Sequence, residues 1–361
     1  MSQVKTSLEQ EHEGRILSIG AVQMFAQPSP RKERLERAGL LVERAAGSGA
    51  QLVVLPEVFN TGYTYSASNH HLVESIEGPT ATWMADNASR LGIHLAGSIM
   101  LLDNGEAFNS LLLFAPDGRN WRYDKAYPWG WERGSYRASA QQPKTTIAST
   151  DLGNIGLLIC WDSSHLNLWQ SYAGQVDMML ISSCSPNIGE SIYHFPGGGQ
   201  LAFEDMGKSA EITKGSVAQV FGPLINKQVA WLGVPAVNAT TCGHLETEVP
   251  RGRLTLLGFA MSAPRLLKYI PVANDFSMSC DLLPECKILD ASGNVLAKLN
   301  NQDGEAYIQA DVQLAKIRPK PQSKQPDSGI PWQTYFFSDT FLPFIMRPMY
   351  QAGKQIWKRK S

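Results

Sequence analysis

The chain has 361 residues, 43% of them hydrophobic, enough to bury a large core as one big α/β domain or two smaller ones. A formal net charge of −1 and a pI near 6.7 give no whole-chain field toward nucleic acid, so no nucleic-acid partner is expected. Five irregularly spaced cysteines without a CxxC pair fit a reducing, cytoplasmic compartment, and seven histidines without HxH or HExxH spacing give a metal site no support.

Residues 1–15 are polar and acid-rich, with no apolar segment of the kind a secretory signal or anchor needs, and read as a disordered lead-in. Ile16 to Met24 predicts a first strand. Leu35, Ala38, Leu41, Val42 and Ala45 recur at helical spacing between Arg31 and Ala46, which predicts a helix burying one face. Leu52 to Leu55 is a continuous apolar run, the pattern of a strand covered on both faces. Adjacent His70 and His71 read as surface loop residues. A helix over Thr80 to Leu91 precedes strands at Leu95 to Leu102 and Ser110 to Phe114, the second ending in the turn Pro116-Asp117-Gly118. Ile155 to Ile159 and Met178 to Ile181 bracket a helix from Ser164 to Ala173. A helix over Ala218 to Ala230 leads into a strand at Trp231 to Asn238, and Cys286 to Asp290, Val295 to Leu299 and Ala306 to Val312 read as strands on an exposed edge. Strands that alternate with helices and later pair through short turns imply a sheet-based α/β fold over residues 16–317. A polar linker from Arg318 to Asp327 then opens a tail over 318–361.

Three apolar runs end in ionisable residues: Leu52-Val53-Val54-Leu55-Pro56-Glu57, Tyr123-Asp124-Lys125, and Ile155-Gly156-Leu157-Leu158-Ile159-Cys160-Trp161-Asp162. By itself a cysteine on a strand is more often a small buried hydrophobe. A thiol with a carboxylate and an ammonium is a different matter. Cys160 would attack carbonyl or nitrile carbon, Glu57 would take its proton, and Lys125 would stabilise the charge that develops on the substrate. Glu132, within Pro128-Trp129-Gly130-Trp131-Glu132-Arg133, could orient Lys125 or share its charge.

Leu-Pro-Glu57, Asn109-Ser110-Leu-Leu-Leu-Phe-Ala-Pro116-Asp-Gly118, Lys125 with Pro128 and Glu132-Arg133, Gly156-Leu-Leu-Ile-Cys160-Trp-Asp and Asp290-Ala-Ser-Gly293 occur in an order that resembles the nitrilase superfamily of carbon–nitrogen hydrolases. The resemblance runs from about Ile16 to Val312. It implies a four-layer α-β-β-α sandwich and subunits that pair into homodimers or higher homo-oligomers. It also implies general base Glu57, oxyanion-stabilising Lys125, nucleophile Cys160, second carboxylate Glu132, and a thioester acyl-enzyme with neither metal nor cofactor. Cys184 falls where that family lines its substrate pocket, and the aromatic Tyr63, Trp131 and Trp161 are the other expected substrate contacts. Two departures stand out. Ser163-Ser164-His165-Leu166-Asn167-Leu168 replaces a common Arg-Phe-Pro-Glu-like stretch, and Asp162 stands where true nitrilases usually carry Glu, so the amidase-like branch and an amide substrate rank above a nitrile. N-acyl transfer and a catalytically idle, membrane-associated binding protein are the rival readings.

Relative to a compact member of that family, residues 242–280 carry extra apolar length, and the tail combines Phe336, Phe337, Phe341, Phe344 and Ile345 with the basic run Lys358-Arg359-Lys360. Segments 251–270 and 335–360 therefore have three candidate partners: an anionic membrane surface on the inner face, a second subunit, or the substrate pocket as a lid. Lipid contact would extend the substrate to an amphiphilic amide.

Overall fold

The structure is a computed structural model and describes residues 14–140 and 144–359. The expected lead-in therefore falls, up to residue 13, outside the described residues. Twelve strands form two six-stranded halves. The first half runs β5 (Asn120–Asp124), β4 (Glu106–Phe114), β3 (His94–Asp103), β2 (Leu52–Val54), β1 (Ile16–Phe25) and β16 (Ala306–Gln313). The second runs β6 (Ile147–Thr150), β7 (Gly153–Ile159), β8 (Met178–Ser183), β11 (Ala236–Cys242), β14 (Lys287–Leu289) and β15 (Val295–Lys298). A short parallel contact, Met24 with Thr241 and Phe25 with Cys242, joins them.

The side-chain period of two explains the layering. Val53 and Leu55 pack with Ala38, Leu41, Val42 and Ala45 of α1 (Arg31–Gly47) and Met84 of α2 (Pro79–Leu91). Leu52 and Val54 point the other way, into a cluster with Leu157, Ile159 and Leu180 of the second sheet. That cluster also takes Trp169 of α3 (Leu166–Tyr172) and Val229 and Leu232 of α4 (Ile225–Leu232), completing an α-β-β-α sandwich. A strand buried on both faces must be apolar at every position, as β2 is, and each such Val or Leu contributes about 1.5–3 kcal/mol.

Three expectations are corrected. The strand expected from Trp231 begins at Ala236, because α4 continues through Leu232 and Gly233, at φ +70, closes it in the left-handed region. Of the late strands, β15 and β16 end their sheets, but β14 is buried between β11 and β15. His70 is buried rather than a surface residue, its Nε2 2.8 Å from the Gly134 carbonyl and its ring against Trp357.

Residues 244–281 fold into β12 (His244–Glu248), α5 (Gly252–Ala260) and β13 (Ser277–Asp281), whose strands join β9 (Ile192–His194) and β10 (Gln200–Ala202) in a separate four-stranded sheet. The tail packs back on the same chain. Its last helix, α6 (Leu342–Trp357), buries Leu342, Ile345, Met346 and Trp357, and Lys354 and Tyr350 both reach Glu106. Close approach needs small residues opposite: a Cβ on Gly258 of α5 would stand 2.4 Å from the Phe341 ring. Among the described residues no helix is long and apolar enough to cross a membrane.

Candidate active site

The strands β2, β5, β7 and β8 all deliver their C-terminal ends to one place, where Glu57, Lys125, Cys160 and Cys184 follow. Such strand ends are where open α/β sheets build their sites.

Glu57 is fully buried and uses both carboxylate oxygens. Oε1 accepts from Lys125 Nζ (2.7 Å) and Asn109 Nδ2 (2.7 Å), while Oε2 accepts the backbone N–H of Cys184 (2.9 Å). The next residue, Val58, sits at φ +43, an unfavourable conformation for a β-branched residue, and its N–H donates to Ser98 Oγ. Arg34 fixes this loop from behind, its guanidinium donating to the carbonyls of Phe59 (2.6 Å), Gln27 (2.9 Å) and Phe25 (3.0 Å).

Lys125 Nζ also donates to Glu132 Oε2 (2.7 Å) and Oε1 (3.0 Å), so one buried ammonium bridges two buried carboxylates. Glu132 is held in turn by the Trp129 N–H (2.8 Å) and the Tyr63 hydroxyl (2.5 Å). Asp162 fastens the loop that carries Lys125: Oδ1 accepts from the Tyr127 N–H (2.7 Å), and Oδ2 accepts from the Tyr123 hydroxyl (2.7 Å).

Cys160 turns the chain from β7 into a single 3₁₀ turn at φ +49, a costly conformation for a residue with a Cβ. The reward is position: the thiol leaves the strand end and reaches the Cys184 carbonyl at 3.0 Å, beside Glu57.

Two carboxylates and one ammonium leave this dry cluster with an excess negative charge. Burial, against the pull of Lys125 and with the push of Glu132, raises Glu57 to about 7. Burial and the Glu57 charge likewise push the Cys160 thiol well up, so it rests protonated. Burial also works against the Lys125 charge, but Glu132 and Glu57 outweigh it and hold the ammonium well above the ordinary lysine range.

The four expected chemical residues thus form one connected chain, Cys160 beside Glu57, Glu57 on Lys125 and Lys125 on Glu132. Of the expected substrate contacts, Trp161 and Cys184 line the cleft over the Cys160 thiol, and Tyr63 lines it too with its hydroxyl committed to Glu132. Trp131 lies further out, its Nε1 3.4 Å from Thr255 Oγ1. Sequence reasoning missed the clamping by Asn109 and Asp162, though both stood in the quoted motifs, one just before the strand expected from Ser110 and one two residues past the nucleophile. It also missed Asp339, which accepts from Trp161 Nε1 (3.0 Å) and pairs with His165 Nε2 (3.0 Å), tying the tail to the turn that carries Cys160.

The carbon-nitrogen hydrolase family profile matches residues 18–197, a span that holds Glu57, Lys125, Glu132 and Cys160 together. The chain belongs to the carbon–nitrogen hydrolase family. Among this family's curated members it is 30% identical over 157 residues to a zebrafish (Danio rerio) omega-amidase NIT2 and 28% identical over 152 residues to a Pyrococcus abyssi nitrilase. Each match covers 41% of this chain and 56% of the relative, so the chain spans little more than half the length of the curated relatives it matches. Among solved structures, Nit3 of Saccharomyces cerevisiae, a nitrilase-superfamily member, superposes with a TM-score of 0.60 at 18% identity, covering 83% of this chain and 91% of that one.

Proposed function

We propose that this chain hydrolyses a non-peptide carbon–nitrogen bond, an amide in preference to a nitrile, through a thioester on Cys160. The observation that carries the reading is the Glu57–Lys125–Glu132 bridge set beside a protonated thiol on a strained strand end. As Sγ attacks the carbonyl carbon, its proton passes to Glu57. A carboxylate near 7 is well matched to taking and returning a proton at neutral pH. An ammonium has three N–H donors. Glu57 takes one and Glu132 can take one in a forked bond, which leaves one for the oxyanion. Collapse breaks the C–N bond, and Glu57 hands its proton to the departing nitrogen. Water then gives a proton to Glu57 and adds to the thioester. The acid leaves, and the sulfur regains its proton.

The preference for amides rests on Asp162 at the second position after the nucleophile and on the omega-amidase among the relatives, while the nitrilase relative keeps nitrile hydrolysis as the second reading. Ammonia release from a panel of amides and nitriles tests it. Cys160→Ala is expected to lower turnover by about 10⁴-fold or more with the fold retained, and mass spectrometry of the wild type should show an acyl adduct on Cys160. Ammonia release persisting in the folded variant would sink the assignment.

A further inference from the structure

The cleft at Cys160 does not end where the family-matched segment ends. The cleft is narrow, and next to it lies a narrow, partly open chamber with almost wholly apolar walls. The two share Trp129, Trp161, Ile188 and Val217 as walls, so the chamber begins where the cleft stops. Its outer walls are Phe203, Phe259, Phe337 and Leu342, all beyond residue 197 and therefore outside the matched family segment. Phe259 of α5 stacks on Phe337 of the tail with ring centroids 5.3 Å apart, and Phe203 meets Phe259 edge-on at 6.5 Å. The extra length between residues 242 and 280 and the C-terminal tail thus close over the same space.

Beyond Glu57, Lys125 and Glu132 beside the thiol, no Asp, Glu, Lys, Arg or His side chain among the described residues lines the cleft or the chamber. Ser216 and Thr334 hydrogen-bond each other (2.7 Å), Thr213 donates to the Ser209 carbonyl (3.0 Å) and Ser338 donates to Asp339 (2.9 Å). Tyr193 is a phenol that burial keeps neutral. A carboxylate on the acyl group would therefore meet no cation here. Arg133 is turned to the Pro128 carbonyl at 3.0 Å, and the ion that touches the wall, Asp339, has the same sign. An unpaired charge in such a space is strongly disfavoured, whereas each buried methylene is favoured by about fourfold.

Resting on the hydrolase reading above, we infer that this chamber is the acyl subsite and that it takes an uncharged, elongated apolar acyl group, the amide of a medium-chain acid rather than a carboxylated amide. The wild type should show kcat/KM rising at least tenfold from propionamide to octanamide, and the monoamide of suberic acid, as long but carrying a terminal carboxylate, should be at least tenfold poorer than octanamide. A flat series, or preference for the carboxylated amide, overturns the subsite while leaving the hydrolase intact. Equilibrium binding to Cys160→Ala, read by quenching of tryptophan fluorescence, separates the two readings. Octanamide binding at least tenfold tighter than propionamide, with no turnover by the wild type, upholds the chamber and overturns the hydrolase. Absence of both binding and turnover overturns both.

Discussion

Glu57, Lys125 and Glu132 are held by directed hydrogen bonds and charge, whereas Phe259, Phe337, Phe341 and Leu342 are held over them by contact alone. Each oxygen of the first region has a named donor, so moving any one of these groups leaves another buried and unpaired, typically at a cost of about 3–5 kcal/mol for an ion. The second region has no such requirement. Its aromatic rings can slide or separate at the cost of buried area, which suits a cover that must admit a substrate. The rigid polar base sits in the segment shared with relatives, and the adaptable apolar cover lies outside it. On the readings proposed above, chemistry and selectivity would be carried by different stretches of one chain.

That division can be broken at several points. The largest effect is expected at the base: Glu57→Gln keeps the shape but removes the proton acceptor, and should lower kcat/KM by about 10²–10⁴-fold. The pH profile gives the sign. Glu57 must be ionised to act and its pKa is raised to about 7, so kcat/KM should climb tenfold per unit below about pH 7 and level off above it. An acid limb near the ordinary glutamate range of about 4.3 would mean that Glu57 is not the group titrating.

The cover is expected to answer more mildly, and in stability. Gly258→Ala gains about 1 kcal/mol in helix propensity, but its Cβ would stand 2.4 Å from a rigid ring. Overpacking of that kind costs about 1–3 kcal/mol, so a net loss of stability and faster proteolysis of the tail should follow, measured by urea unfolding and limited digestion. A variant more stable than the wild type would contradict the described tail packing. The smallest effect concerns lipid. With Leu342, Ile345, Met346 and Trp357 turned inward, Trp332, Phe336, Phe344 and Met261 remain exposed for a membrane or a second copy. Flotation with anionic liposomes is expected to carry a minor fraction of the full chain, and complete flotation would restore the membrane as the tail's main partner.

Glu57, Lys125 and Cys160 were legible because each stands at the end of an apolar run, and an ionisable residue at the end of a buried strand has few bland explanations. The same runs implied a sheet-based α/β fold, with β2 reading as a strand covered on both faces, while the four-layer sandwich came from the family resemblance. The cover was not legible in the same way. Phe337, Leu342 and Ile345 showed apolar surface, but such surface has no directional partner, so lipid and a second subunit ranked level and the pocket behind them. Trp231 and Leu232 misled because an apolar run continues through the end of α4, and the left-handed turn at Gly233 is a conformation rather than a hydropathy signal. His70 was misplaced because its neighbours, Gly134 and Trp357, lie 64 and 287 residues away.

The double clamp on Lys125 has one more consequence. A thioester is an acyl donor, and a neutral amine beside it would capture the acyl group as a permanent amide. Held as an ammonium by Glu57 and Glu132, Lys125 has no lone pair to attack with. On the proposed thioester mechanism, the same two carboxylates that would aim its charge at the substrate would also protect the catalyst from acylating itself and leave water as the acceptor.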